Sequence, residues 1–438
     1  MPHNPLLKNR PSSSNNSTGK NGNDNGEWPE EDVLRKALCL YSKEQLPLAR
    51  RLGRLKDEFG LEIKLTTLKN LNKHFNVPSS RKAIKGVEAT QLVLLQMADD
   101  PNGRRGTGAI QAKLAIQGTP LPRRVIRAVL LANDPDGVAL RYPGKKPTPI
   151  PRGHLNVIGP MFEIHCDGHD KLGALALQMG GVAIPMYAYK DGASSGVLYF
   201  RCIPNNRKPE VVDHTFADLV EQLGATGMQI TTDHGTEIGG IKAMQTSLRM
   251  TYAPDICMDE YPPHMAMKSV HNTPIESMWH WFLHHNGRNL KDLITLGQAS
   301  GIFHSGDELH VKLFYCIWPT AVQAELDKFV FFWNSHKIRP QAEKKMPSGT
   351  TPRDIFTSPQ TYGMERAGIP VPREAIQAMR DTFPLTREEA YQWVEPEFSD
   401  LVLEAWDEIG APELTMFNGW DIFQHLEPVV RARYTYST

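Results

Sequence analysis

Along the first third of the chain, apolar residues recur at spacings of three and four. LRKALCLYSKEQLPLARRLGRLKDEF interleaves them with charge, as an amphipathic helix or helix pair does. LEIKLTTLKNLNKHFNV sets Leu65, Leu68, Leu71 and Phe75 on one helical face and predicts a short basic helix starting at Thr66 or Thr67. VEATQLVLLQMADD, GTGAIQAKLAIQG and PLPRRVIRAVLLANDPDG continue the helical pattern to about residue 133. From about residue 156 the period changes. MFEIHCDG (161–168) alternates as a strand does, and GGVAIPMYAYKDG and GVLYFRCIP (196–204) are rich in β-branched and aromatic residues. PEVVDHTFADLVEQLGA (209–225) predicts a helix closed by Gly224, and GMQITTDHG (227–235) a strand ending at Asp233. TEIGGIKAMQTSLRM predicts a helix weakened by its glycines, and YAPDICMDEYPPHMAMKSV (252–270) a loop. In HNTPIESMWHWFLHH, Ile275, Met278, Trp279, Phe282 and Leu283 form one helical face, with Thr273 as N-cap, Pro274 first and Glu276 third, a capping box. VQAELDKFVFFWNSHKI (322–338) predicts a further helix, and acidic helical segments fill 360–438. Strands, a helix, a strand and more helices imply a mixed sheet flanked by helices.

Composition narrows the function classes. Lys plus Arg (49) equals Asp plus Glu (49), so nucleic acid must be held by local patches rather than by overall charge. Five scattered cysteines without a CxxC pair argue against a zinc ribbon and for reduced thiols inside a cell. The Asn, Ser, Gly and Pro of residues 1–28 predict a disordered tail without a signal peptide, and no apolar run long enough for a membrane helix occurs. Arg123, Arg124 and Arg127 make RRVIRAVLL the better candidate for a DNA-recognition helix in a helix-turn-helix-like region. The Gly/Pro-rich stretch 137–155, with Lys145 and Lys146, predicts a basic linker able to meet phosphate. Lys337, Arg339, Lys344 and Lys345 add cations further on.

Three carboxylates fall at element ends: Asp167 after a strand, Asp233 after another, and Glu276 at a helix start. Residues 168–232 and 234–275 separate them, 65 and 42 positions. Each alone has a plain explanation as a turn or cap residue. Together in one pocket they would repel unless a hard divalent cation offset the charge. Two such ions about 4 Å apart serve in-line phosphoryl transfer.

HCDGHDKL, TTDHGTEI, NTPIESMWHWF and WNSHKIRP, in this order, resemble the integrase core of the DDE transposase and retroviral integrase superfamily. The likeness is strongest to integrase core domain proteins of fungi and animals. It spans about 156–358, and GTGAIQAKLAIQGTPLPRRVIRAVLLANDPDGVALR resembles the helical segment that precedes such cores. The resemblance implies an α/β, ribonuclease-H-like core with a mixed five-stranded sheet and flanking helices. An all-helical, helix-turn-helix-like region would precede it and a helical extension follow. The implied divisions are 1–28, 29–150, 151–358 and 359–438. It further implies metal-dependent cleavage and strand transfer of DNA, two Mg²⁺ or Mn²⁺ ions, and Asp167, Asp233 and Glu276 as their ligands. Asp170 would stand behind the ligands and Lys171 would meet phosphate or pair with a carboxylate. A homo-oligomer, a nuclear location and descent from a transposable element follow by resemblance only, and no membrane partner is expected.

The chain departs from the family pattern at Ile238, where Asn is frequent, and at Asn272-Thr273-Pro274, where Asn-Gln-Arg is frequent. A domesticated, non-catalytic DNA-binding or scaffold protein is the alternative, and a nuclease acting on RNA a third. His165, Cys166, His169, His280, His284 and His285 invite a zinc site, but the HExxH order is absent. Trp279 lies on the apolar stripe and is expected in the core. Trp281 lies off it and is the candidate for stacking on bases.

Overall fold

Helical periodicity translates directly into the N-terminal elements of the computed structural model, which describes residues 28–135, 137, 158–169, 177–235, 237–267, 272–341 and 346–434. The chain divides into two compact units, Met1–Asn156 with Phe332–Glu365 and Val157–Phe331 with Arg366–Thr438. In the first, α1 (Glu31–Lys43), α2 (Leu48–Phe59) and α3 (Leu65–His74) enclose Leu34, Leu38, Tyr41, Leu55, Leu68 and Leu71. Helix α3 begins at Leu65 after Lys64, ahead of the threonines expected to start it. A second core of Val93, Ile110, Leu114, Leu121 and Ile126 lies among α4 (Val87–Ala98), α5 (Thr107–Ile116) and α6 (Arg123–Asn133). Arg123, Arg124 and Arg127 occupy the exposed face of α6.

The same unit contains a buried charge cluster. Arg54, 1% exposed, donates to Glu44 at 3.2 Å, to Glu58, and to Asp354 of the short helix Pro352–Thr357 at 3.3 Å. Arg50 donates to both oxygens of Asp354, at 3.0 and 2.9 Å. Burial alone would raise the Asp354 carboxyl; the hydrogen bonds from Arg50 and Tyr362 outweigh it and hold it below the usual carboxylate range. Removing one partner of such a cluster typically costs about 3–5 kcal/mol, because a buried charge is left uncompensated.

In the second unit, β1 (Glu163–His169), the small hairpin β2 (Gln178–Met179) and β3 (Val182–Ala183), β4 (Met186–Asp191) and β5 (Val197–Cys202) precede α7 (Pro209–Leu223). Gly224 ends α7 in the left-handed region, φ 60°, as expected of a C-terminal glycine. Then follow β6 (Ala225–Thr226), β7 (Gln229–Thr232), α8 (Gly239–Tyr252), β8 (His264–Ala266), α9 (Thr273–Phe282), α10 (Arg288–Ala299) and α11 (Glu308–Ser335). The C-terminal part adds β9 (Ile369–Pro370), α12 (Arg373–Arg380), α13 (Arg387–Ala390), α14 (Pro396–Glu408) and α15 (Gly419–Arg431).

The principal sheet has the order β5-β4-β1-β7-β8. Strands β5, β4 and β1 pair antiparallel, while β1, β7 and β8 run parallel. This is the ribonuclease-H-like mixed sheet with flanking helices, preceded by a helical region and followed by C-terminal helices.

Three local expectations are corrected. The loop 252–270 holds the fifth strand, β8: it is three residues long and pairs on one side only, so it leaves no alternating pattern. The helix expected over 322–338 begins at Glu308 and passes through Pro319; its earlier turns are apolar on several faces, so no single stripe marks them. The capping box at Thr273 does not form. Asn272 is the N-cap and its side chain makes no cap hydrogen bond; it is engaged elsewhere, as shown below. No described helix is long and apolar enough to cross a membrane.

Candidate catalytic site

Side chains alternate along β1, so Glu163, His165 and Asp167 share one face. The parallel register pairs Glu163 with Gln229 and His165 with Thr231. Asp167 follows the His165–Thr231 pair by two residues within β1, and Asp233 follows it by two, directly after the end of β7 at Thr232. Thr231 Oγ1 donates to Glu163 Oε1 at 2.7 Å, which confirms the shared face. Asp233 is 8% exposed and accepts from the Gly235 amide at 3.1 Å.

Helix α9 packs on this face of β1 and on β4. Ile275, Met278, Trp279 and Phe282 are each at most 2% exposed. Phe200 meets the Trp279 and Phe282 rings at 5.3 and 5.2 Å. Burying each such side chain contributes about 1.5–3 kcal/mol. The indole N–H of Trp279 donates to Asp167 Oδ2 at 3.3 Å. Glu276 lies three residues before Trp279, so it projects from the same side of α9 one turn nearer the helix start.

Further residues, none of them expected to seat the carboxylates, lie beside this face. Burial pushes the Cys166 thiol up, and the charges of Asp167, Asp233 and Glu237 add to the effect. Glu237 stands in the TTDHGTEI string, but its side was not legible there. His165, Lys190 and Asn272, 1%, 3% and 1% exposed, lie between the sheet and α9. Asn272 Nδ2 donates to the Cys166 carbonyl at 3.2 Å, and its Oδ1 lies 2.9 Å from His165 Nδ1. Lys190 Nζ donates to the Pro274 carbonyl at 2.6 Å and to Ser277 Oγ at 3.2 Å. Asn272 thus serves the sheet in place of the helix end, although a capping side chain would contribute about 1 kcal/mol there.

The remaining expected residues are placed as follows. Trp279 is in the core, while Trp281 is 41% exposed and stacks on His285 with centroids 4.5 Å apart. His280 and His284 rings meet at 4.2 Å. Lys337 and Arg339 are exposed. Asp170, Lys171, Lys145, Lys146, Lys344 and Lys345 lie outside the described residues.

The donor set tests the expected metal. Asp167, Asp233 and Glu276 offer only carboxylate oxygens, which suits Mg²⁺ or Mn²⁺ and not a thiolate-seeking ion. Among the described residues, no group of three or more His, Cys, Asp or Glu side chains stands placed to hold a metal ion.

The integrase core domain family matches residues 155–366. No curated protein matches. Among solved structures, a Mos1 strand transfer complex is similar at 10% identity and TM-score 0.19, covering 84% of this chain and 100% of that one. A pre-cleavage Mos1 transpososome has the same identity and coverage at TM-score 0.20. A Mos1 transposase paired-end complex with the left transposon end, at 10% identity and TM-score 0.16, covers 62% and 98%. Residues 155–366 of this chain are an integrase core domain, carried on the mixed sheet β5-β4-β1-β7-β8.

Proposed function

We propose that this chain is a DDE-type polynucleotidyl transferase that cleaves and joins DNA, with Asp167, Asp233 and Glu276 as ligands of two Mg²⁺ or Mn²⁺ ions. One observation supports the reading: Asp167 and Asp233 each follow the His165–Thr231 pair of β1 and β7 by two residues, and Trp279 of α9 touches Asp167 one turn from Glu276. The ions, when bound, supply Lewis-acid activation of an attacking oxygen and charge stabilisation on the leaving one. Asp167 within β1 and Asp233 directly after β7 would offer carboxylate oxygens from backbone held by the sheet, as an in-line displacement requires. Trp279 fixes one Asp167 oxygen. Glu276 closes the set from the helix.

The exposed arginines of α6 and the exposed Lys337 and Arg339 support contact with the DNA backbone. Residues 29–150 would act as the DNA-binding region, 151–358 as the catalytic core and 359–438 as an extension. A homo-oligomer in the nucleus belongs to the same proposal. The alternative, a non-catalytic descendant that keeps the fold and binds DNA, is favoured by Ile238 and Thr273-Pro274 in place of the frequent family residues.

Calorimetric titration of the full chain with Mn²⁺, with and without duplex DNA, tests the proposal. Wild type is expected to take two ions and Glu276→Gln to lose one. Nicking of plasmid DNA in Mn²⁺ is expected to fall at least 100-fold in the variant. No binding at millimolar Mn²⁺ in the presence of DNA would establish the non-catalytic alternative. Matched RNA substrates separate a ribonuclease.

A further inference from the structure

We infer that His165, Lys190 and Asn272 are positioning residues that fix where Glu276 stands relative to Asp167; the inference rests on the function proposed above. The three side chains are almost fully buried and come from β1, β4 and the residue before α9. The Asn272 amide nitrogen is committed to the Cys166 carbonyl, so its Oδ1 is an acceptor and His165 Nδ1 must be the donor. That fixes the imidazole with its proton on Nδ1. Lys190 binds the Pro274 carbonyl and Ser277 Oγ in the first turn of α9. Trp279 binds Asp167 one turn later.

The helix is therefore tied to the sheet at Asn272, at Pro274 and Ser277, and at Trp279. Glu276 lies inside this span. Apolar packing of Ile275, Met278 and Phe282 is non-directional and tolerates sliding or rotation of the helix. Hydrogen bonds weaken steeply with angle and distance. A slide of one residue, about 1.5 Å, would break every tie. The polar clasp therefore sets the register of α9, and the apolar face supplies most of its adhesion. Catalytic constellations need about 0.5 Å of precision from such supporting groups.

The test uses the full chain with Asn272→Ala and Lys190→Met, and Lys190→Arg as the conservative variant. Amide exchange over 276–282 and Mn²⁺ affinity are measured together. Both truncations are expected to speed exchange in α9 at least tenfold while β1 and β7 keep their protection, and to weaken Mn²⁺ binding at least tenfold. Lys190→Arg should recover much of both. Wild-type exchange in α9 overturns the inference. Faster exchange with unchanged Mn²⁺ affinity also overturns it, since the clasp would then be structural only. Asn272→Ser and Ser277→Ala remove less of the clasp and provide the same comparison if the truncations fail to fold. A wild-type chain that takes no Mn²⁺ overturns the proposed function, and the clasp then stands or falls on amide exchange alone.

Discussion

Asp213 of α7 shows how one carboxyl couples fold to pH. It is half-buried, and its Oδ1 is buried without a hydrogen-bond partner among the described residues. Burial first, and the charge of Glu210 second, push its carboxyl up to about 7. An unfolded Asp titrates near 3.9. The folded state thus holds this proton more tightly, and the stability it contributes is lost as pH rises from about 4 to about 7. Its neighbour His214 acts in the opposite sense. Burial lowers the imidazole, whose Nε2 donates to the Leu385 carbonyl while Arg380 donates to Nδ1, so charging it at low pH opposes folding. The difference between wild type and Asp213→Asn isolates the carboxyl. The variant is expected to melt higher than wild type at pH 7.5, with the advantage shrinking towards pH 4. Melting curves across that range check it, and a constant difference would refute the assignment. The sequence placed Asp213 on an amphipathic helix correctly, but solvation of a single carboxyl is a property of the packed neighbours and leaves no periodic trace.

At the scale of elements, α10 and α15 meet through a contact that admits no side chain. A Cβ on Gly297 would lie 2.1 Å from Trp420 Cζ2, and the indole N–H is held by the Leu293 carbonyl at 2.7 Å. Gly297→Ala gains about 1 kcal/mol of helix propensity and meets an overpacking cost of about 1–3 kcal/mol. Because Trp420 is tethered to the same helix, the cost should win, with a lower urea midpoint at unchanged slope. A more stable variant would mean that the indole swings aside. Strong periodicity made most elements legible: the α1–α6 pattern, β1, β4, β5, α7 and the apolar face of α9 all appear where spacing put them. Short or uniformly apolar elements were not legible, which explains β8 and the first half of α11. Asp167, which proves to lie inside β1, and Asp233, directly after β7, were visible because strand and turn signals are local. The ties that seat α9 were not: His165 and Asn272 are 107 positions apart, and Lys190 and Pro274 are 84. Only the folded register brings them together, and it also redirects the Asn272 side chain from the helix end to the sheet.

For the whole molecule, a net charge of zero decides how nucleic acid must be recognised. With 49 cations against 49 anions, long-range attraction to DNA is absent, and any phosphate contact must come from faces where cations stand together. Helix α6 is such a face: Arg123, Arg124 and Arg127 are exposed, while Ile126, Val129 and Leu130 turn into the core. Replacing the three arginines with alanine leaves that core untouched, so the variant should melt as wild type does. Each arginine that meets a phosphate releases about one counterion, so the logarithmic salt slope of duplex binding should fall by up to about 3, with a weaker Kd at every sequence tested. Glu276→Gln, by contrast, should keep the salt slope and lose Mn²⁺-dependent nicking. Fluorescence anisotropy from 50 to 300 mM salt on both variants separates the two roles. An unchanged slope in the arginine variant would remove α6 from the interface and move the search to Lys337 and Arg339. Loss of slope without loss of nicking would mean that the catalytic core holds DNA through contacts of its own.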